Sequence, residues 1–256
     1  MATGYCENLK ILYGRLAILN YPQTYPSHPP PLLPIVANVA GGTRANRVRV
    51  DLHLHSSASF DCRVSPQDVY GRARQLGLSP LFLTDHDGVE GARQLVEAGQ
   101  EVIIGEEILT TEGELIGLFI KDAIPRRLSP EETVAAIKEQ GGLVYLEHPY
   151  DAGRRNLKEV AIERIADKID IVEVFNGRSQ PEPNRKAEDL RSALGVPAGA
   201  GSDSHTLREI GGVYVEMEAF DGPQDFLAKL RSGQIVTGSG RFGLRLGRLF
   251  SRPGKT

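Results

Sequence analysis

The chain has no tryptophan, two methionines and two cysteines in 256 residues, and aromatic side chains make up only 6% of it. Two thiols, Cys6 and Cys62, are too few for the disulfide framework of a small secreted domain, so the fold must rest on an apolar core, and the pair fits a reducing compartment. No apolar run reaches the roughly 20 residues that span a bilayer, and the first residues lack the cationic start, long apolar run and small-residue cleavage site of a secretory leader. A cytoplasmic protein with no membrane partner is the expectation. Neither sign of charge dominates, with 30 Lys and Arg against 33 Asp and Glu, so no stable nucleic-acid complex is expected and the partner should be small. A glycine-rich P-loop string is also missing, and neither Cys62 nor Ser202 has the base and orienting group that nucleophilic catalysis requires.

What is there is histidine in a particular place. Of six histidines, His53, His55, His86, His148 and His205 each stand where a short run of β-forming residues ends, in RVRVDLHLHS, LFLTDHD, LVYLEHP and AGAGSDSH, and each has a carboxylate nearby. Side chains alternate faces along a strand, so Asp51, His53 and His55 share one face and Leu52 and Leu54 the other. One strand thereby offers two imidazoles to one ion. Imidazole and carboxylate suit Zn, Mn and Fe, and a catalytic site keeps a coordination position open for water. A single histidine is usually a hydrogen-bonded core residue; five at successive strand ends are not explained that way.

Residues 1–45 form a proline-dense extension, with YPQTYPSHPPPLLP and then GGTRANR, expected to lie outside the core, with His28 solvated; translation starting near Val48 or Val50 is the alternative. From Arg47 onward strand and helix patterns alternate, as in βα units around a mostly parallel sheet. Ser65-Pro66 and Ser129-Pro130, each followed by an acid three residues after the serine, read as helix N-termini, and Gly77 and Gly141 as the matching C-terminal caps. Further helices are predicted over 89–98, 157–167, 183–194 and 223–232. Strands are predicted over 47–54, 80–84, 102–108, 115–120, 142–147, 169–175, 197–201 and 235–237, with a hairpin through Thr111-Glu112-Gly113. At this length one α/β domain over 46–240 is the economical reading, a barrel of about seven strands with its chemistry at one mouth. The basic stretch 241–256 reads as a frayed, solvated tail.

The strings DLHLHSSASFDC, LTDHDGVEG, IIGEEI, GELIGLFI, LEHPYD, IVEVFNGRS and AGSDSH occur in this order from about Val48 to Gly238. In that order they resemble the motifs of the polymerase and histidinol phosphatase (PHP) superfamily of metal-dependent phosphoesterases. The resemblance implies a distorted seven-stranded (β/α) barrel with two or three divalent ions (Mn, Zn, Fe or Mg) at its mouth. It implies that His53, His55, Glu107 and Asp203 hold one ion and that Asp61, His86 and His205 hold a second. Glu107 would then bridge towards a third that includes His148. Asp61 stands where some members have histidine, and Asn176 near where the fullest members place another, which makes the third ion optional; Glu114 likewise occupies a frequent histidine position and receives no ligand role. The pattern after Gly105 favours Glu107 over Glu106 as the bridge.

Asp85 and Asp87 flank His86 as candidates to orient its ring, with a loop cap as the alternative, and Asp51 reads as either a supporting carboxylate or a strand-end turn. Arg178, and Arg154 or Arg155, follow strand ends and match phosphate oxygens with their forked donors. Cys62 is expected to pack. Glu107, Asp203 and His205 are the candidate catalytic residues. The expected reaction is hydrolysis of a small phosphomonoester by a metal-bridged hydroxide, with nucleotides such as 3′,5′-bisphosphates among the substrates the resemblance implies. Alternatives are histidinol phosphate, exonucleolytic cleavage of short oligonucleotides from the 5′ end, and a non-catalytic metal-binding regulatory module.

Overall fold

A computed structural model of the chain describes residues 46–238. The expected extension over 1–45 and the basic tail over 241–256 lie outside the described residues.

Among the described residues there are nine strands and six α-helices. They run β1 (Arg47–Val50), α1 (Pro66–Gln75), β2 (Leu81–Leu83), α2 (Glu90–Glu97), β3 (Val102–Leu109), β4 (Glu114–Leu118), α3 (Pro130–Glu139), β5 (Leu143–Leu146), α4 (Glu159–Ile165), β6 (Ile171–Asn176), α5 (Pro181–Leu194), β7 (Ala198–Gly201), β8 (Val213–Glu218), α6 (Gly222–Leu230) and β9 (Gln234–Thr237). Six strands form one curled sheet in the order β2-β3-β4-β5-β6-β7, parallel except where the β3–β4 hairpin reverses the chain. The hairpin turns where the sequence places it, at Gly113, whose φ of 135° excludes a side chain and whose carbonyl accepts from Thr110 N–H at 2.8 Å.

The helix signals act as read. Ser65 accepts from Asp68 N–H, and Ser129 with Glu132 makes a full capping box. Gly77 and Gly141 take φ of 74° and 78° just past the helix ends.

The strand expected over 47–54 divides. Residues 47–50 pair antiparallel with β8, which together with β9 makes a separate three-stranded sheet. Residues 52–55 instead bridge the open edges of the curled sheet: Leu52 N–H donates to Ala200 O and His55 N–H to Ser204 O on one side, while Thr84 N–H donates to Leu54 O on the other. The expected seven strands are therefore six and a bridging segment. Its ladder is irregular because side chains take ladder positions. Asp51 Oδ1 accepts from His53 N–H and Ser202 N–H, and Thr84 Oγ1 accepts from Leu54 N–H. Asp51 thus serves the strand-end turn, and β8, absent from the expected strands, is the partner that takes 47–50 away.

Two apolar clusters hold the bridging segment. Leu52 lies with Phe82, Ile116, Tyr145, Val215 and Phe226, and Leu54 with Val69, Leu78, Leu83 and Leu95. Both leucines are fully buried, each contributing about 1.5–3 kcal/mol, so sliding the segment by one residue would put His53 and His55 into apolar packing.

Candidate metal centre

Because Leu52 and Leu54 face the core, His53 and His55 face the mouth of the curled sheet, where their Nε2 atoms stand 3.1 Å apart. Each ring is held by its other nitrogen. His53 Nδ1 lies 3.3 Å from Glu173 Oε1, so it carries the proton and donates. His55 Nδ1 lies 3.1 Å from Ser59 Oγ, whose own proton goes to Asp85 at 2.9 Å; the hydroxyl therefore accepts from the ring. In these neutral tautomers both Nε2 atoms present lone pairs to one another, so a proton or a metal cation is needed between them. Gly201 permits the approach, since a Cβ there would collide with His53.

Glu107, at the end of β3, sits at the centre of the cluster. Its Oε2 is 3.2 Å from Nε2 of both His53 and His55 and 3.3 Å from His86 Nδ1, and its Oε1 is 3.2 Å from His148 Nε2. Asp203 Oδ1 approaches the Nε2 atoms of His53 and His55 at 3.9 and 3.6 Å. Further out, Asp61 Oδ2 lies 3.0 Å from His205 Nε2 and 3.5 Å from His86 Nε2. All eight residues expected as ligands converge. His53, His55 and Glu107 form one group of donor atoms, Asp203 groups with His53 and His148, and His55 also falls with Asp61, His86 and His205, its ring centre 4.6 and 4.5 Å from those of His86 and His205. Glu106 faces away from the cluster and accepts from Ile124 N–H.

Burial would lower the His53 imidazole, but the facing carboxylates of Asp203, Glu173 and Glu107 outweigh it and hold the ring well above its ordinary pKa. Burial likewise opposes ionisation of Glu107, yet His53 and His148 keep it well below the usual carboxylate range. Asp203 is lowered in the same way, burial being overcome by His53 and His55. His86, with burial dominant, is lowered. Carboxylates surrounding lone pairs thus demand a positive charge, which a proton on His53 supplies in the bare protein. The donor set fits divalent cations. It is mixed imidazole and carboxylate, its rings are fixed in the tautomer that exposes Nε2, and two further buried atoms, His148 Nδ1 and Glu147 Oε1, have no hydrogen-bond partner. Backbone strain collects here as well: Asp87, His148 and Asp203 take φ of 49°, 27° and 52°.

Asp85 and Asp87 do not reach the His86 ring as one reading had it. Asp85 binds Ser56 and Ser59, and so orients His55, while Asp87 accepts from Leu109 N–H. Asn176 donates to Glu173 Oε2 at 3.0 Å and Asp203 Oδ2 at 3.3 Å, and its Oδ1 caps the turn at Arg178. Arg154 meets Asp203 Oδ2 at 2.8 Å, Arg178 lies 2.6 Å from His205 Nδ1, and Arg155 pairs with Glu114 at 3.5 Å. Cys62 is buried against the carbonyls of His55 and His205, in keeping with a packing role.

Sequence reasoning missed Glu173, Glu147, Ser59 and Tyr145. Glu173 binds His53, the His148 backbone N–H, the Tyr145 hydroxyl and Asn176. Glu147 accepts from Ile116 N–H and groups with Glu107 and His148. An acid inside the otherwise apolar IVEVF was the available signal.

The fold and cluster define a mixed α/β protein with a group of His, Asp and Glu side chains at the mouth of a curled sheet that could hold metal ions. Residues 51–148 match the PHP domain and residues 181–235 the PHP-associated region. The chain belongs to the PHP domain family. It is 42% identical over 144 residues to an uncharacterised protein of Methanocaldococcus jannaschii, MJ1587, covering 50% of this chain and 82% of that one. Its fold is similar to that of a two-domain protein from Bacteroides vulgatus containing a predicted PHP-like metal-dependent phosphoesterase (TM-score 0.61, 18% identity, 75% of this chain and 65% of that one). It is also similar to Endonuclease Q in complex with a 27-mer duplex carrying an abasic lesion (TM-score 0.56, 15% identity, 73% of this chain and 57% of that one). Among the described residues no helix is long and apolar enough to cross a membrane.

Proposed function

We propose that this chain hydrolyses a small phosphomonoester, with His53, His55, Glu107, Asp203, Asp61, His86, His205 and His148 holding two or three divalent ions. Glu147 adds a candidate ligand beside His148. The single observation that carries the reading is the pair of facing Nε2 lone pairs of His53 and His55 against Glu107 Oε2, an arrangement that is repulsive without a cation. When bound, such ions supply Lewis acidity and lower the pKa of water towards neutrality.

The chain's own residues do the rest. Glu107 spans the two halves of the cluster, its Oε2 facing His53, His55 and His86 and its Oε1 facing His148. Glu173 and the Asp85–Ser59 pair keep the lone pairs of His53 and His55 aimed. Arg154 and Arg178 offer forked donors to phosphate oxygens beside Asp203 and His205, and the cleft in front, about 360 Å³, suits a small ester. Glu107, Asp203 and His205 carry catalysis by keeping the ions together.

Phosphate release from a panel of nucleotides and sugar phosphates, with Mn, Zn and Mg compared and metal content measured on protein purified without chelators, tests this. Turnover of monoesters with bound metal is the expected result. Full metal content and full activity in both His53→Ala and Asp203→Ala would show that the site is elsewhere. The similarity to Endonuclease Q gives a second reading, a nuclease; release of mononucleotides from oligomers with no turnover of monoesters would establish it instead. Protein that takes up metal but turns over neither monoesters nor oligomers would favour a non-catalytic metal-binding module.

A further inference from the structure

The loop between β5 and α4 forms one wall of the cleft, which Ala152, Gly153, Arg154 and Arg155 all line. Two non-glycine residues at its start, His148 and Tyr150, take φ of 27° and 68°, a left-handed backbone that persists only where its surroundings hold it. Asp151 does the holding. Its N–H donates to His148 O at 3.3 Å, its Oδ1 accepts from Gly153 N–H at 3.0 Å, and its carbonyl accepts from Arg154 N–H at 2.9 Å. The turn that aims Arg154 is closed on this one residue. Its remaining oxygen, Oδ2, accepts from the Ser179 hydroxyl at 2.5 Å. Ser179 belongs to the loop between β6 and α5 and directly follows Arg178, whose N–H is capped by Asn176 Oδ1 at 2.9 Å. The two arginines carried by these loops converge on a single carboxylate: Arg154 lies 2.8 Å from Asp203 Oδ2 and Arg178 3.8 Å from Asp203 Oδ1. One small oxyanion therefore reaches both guanidiniums.

We propose that Asp151 and Ser179 are positioning residues, which lock Arg154 and Arg178 into one clamp for the phosphoryl group. This rests on the phosphoesterase reading and names residues that act only through the arginines. Partly exposed ion pairs hold long side chains weakly, because each pair must overcome the rotamer freedom of its arginine. A hydrogen bond between the two loops fixes the separation of their backbones instead, and with it the gap between the forks. That gap decides whether both forks meet one tetrahedral anion at the same time. The carboxylate of Asp151 is satisfied by neutral donors, a hydroxyl and a backbone N–H, so it does not compete with the anion for the guanidiniums.

The test compares wild type, Ser179→Ala, Ser179→Thr and Asp151→Ala, each isolated without chelators. The kcat and KM for p-nitrophenyl phosphate, the Kd for inorganic phosphate by calorimetry, and metal content are measured on each. Ser179→Ala and Asp151→Ala are expected to raise KM and the phosphate Kd by about tenfold, with kcat changing by less than about threefold and metal content unchanged. Ser179→Thr, which keeps the hydroxyl, is expected to restore wild-type values. Added to an Arg154→Ala, Arg178→Ala double variant, Ser179→Ala is expected to change the phosphate Kd no further, since nothing is left for it to position. If Asp151→Ala fails to fold, Ser179→Ala carries the test alone. An unchanged KM and phosphate Kd in Ser179→Ala would overturn the proposal, as would an equal loss in the background that lacks both arginines, or wild-type protein that binds no phosphate. Phosphate binding that depends on Ser179, with no ester hydrolysed, would defeat the phosphoesterase reading and leave the clamp standing.

Discussion

The floor and the rim of the cluster use the same two kinds of side chain and hold them differently. On the floor, His53, Glu107 and His148 are at most 3% exposed, and their orientation comes from distant strands: Glu173 on β6 fixes His53 and the His148 backbone. At the rim, Asp61 has a side chain 36% exposed, and His86 and His205 are partly open. Their rings are held from the loops: His205 Nδ1 lies 2.9 Å from the Asp203 carbonyl and 2.6 Å from Arg178, and His86 leans on Asp61 and Phe60. The difference separates a preorganised floor, whose geometry is built into the sheet, from a rim that is completed by loops and by whatever binds there.

The most direct way to break the comparison is to remove the carboxylate that faces most of the histidines in both halves. Glu107→Gln keeps the shape but loses the charge that faces His53, His55, His86 and His148 together. Activity should fall on the order of 10³-fold or more, because groups that act as a unit fail as a unit, and metal content should fall in both halves. Loss confined to one half would show that Glu107 does not join them.

Its neighbour on the opposite face of β3 gives the control. Burial pushes the Glu106 carboxyl up to about 7, from an ordinary carboxylate value near 4.5. The neutral form is therefore favoured in the fold. That preference costs nothing below the ordinary value, and stability is lost as pH rises from there through about 7. Glu106→Gln should raise stability by about 2–3 kcal/mol at pH near 8 and by almost nothing near pH 4, measured by denaturant unfolding, without changing metal content. A gain of equal size at both pH values would rule out the carboxyl as its cause.

The floor was partly legible in the sequence and its supports were not. Alternation in DLHLH puts His53 and His55 on one face whatever the rest of the fold does, and motif order assembles the remaining ligands. Glu173 and Tyr145 depend on which residue of one strand stands beside which residue of another across a crossover, and local pattern does not carry that register; Ser59 depends on the turn that folds back onto His55. The strand Val213–Glu218 is a different case. Its burial alternates residue by residue, with Val213, Val215 and Met217 inside, so the signal was present. What no local pattern shows is that this strand captures Arg47–Val50 and turns the expected seventh strand of the barrel into a bridging segment.

Removing the floor's support sharpens the comparison without removing a ligand. In Glu173→Gln the acceptor for His53 Nδ1–H weakens, and metal affinity of the floor should drop about 10- to 100-fold while the rim responds less. Equal losses in both halves, read by competition with a chelator and by ligand-field spectra of Co²⁺-substituted protein, would mean the sheet supports them alike.

The smallest effect is a slope. His53 is held well above its ordinary pKa by the carboxylates around it, so an ion entering the floor must displace a proton, whereas His86 is lowered by burial and is already neutral. Apparent affinity at the floor should therefore climb with pH, by about tenfold per unit over the range in which His53 holds its proton, one proton being released for each ion bound. At the rim no proton has to leave His86 and the dependence should be shallower. Calorimetry in buffers of different ionisation enthalpy counts those protons directly. Proton release that is the same for the first and the last ion to bind would mean that the floor and the rim titrate as one site, and that the distinction drawn from their burial does not extend to how they bind metal.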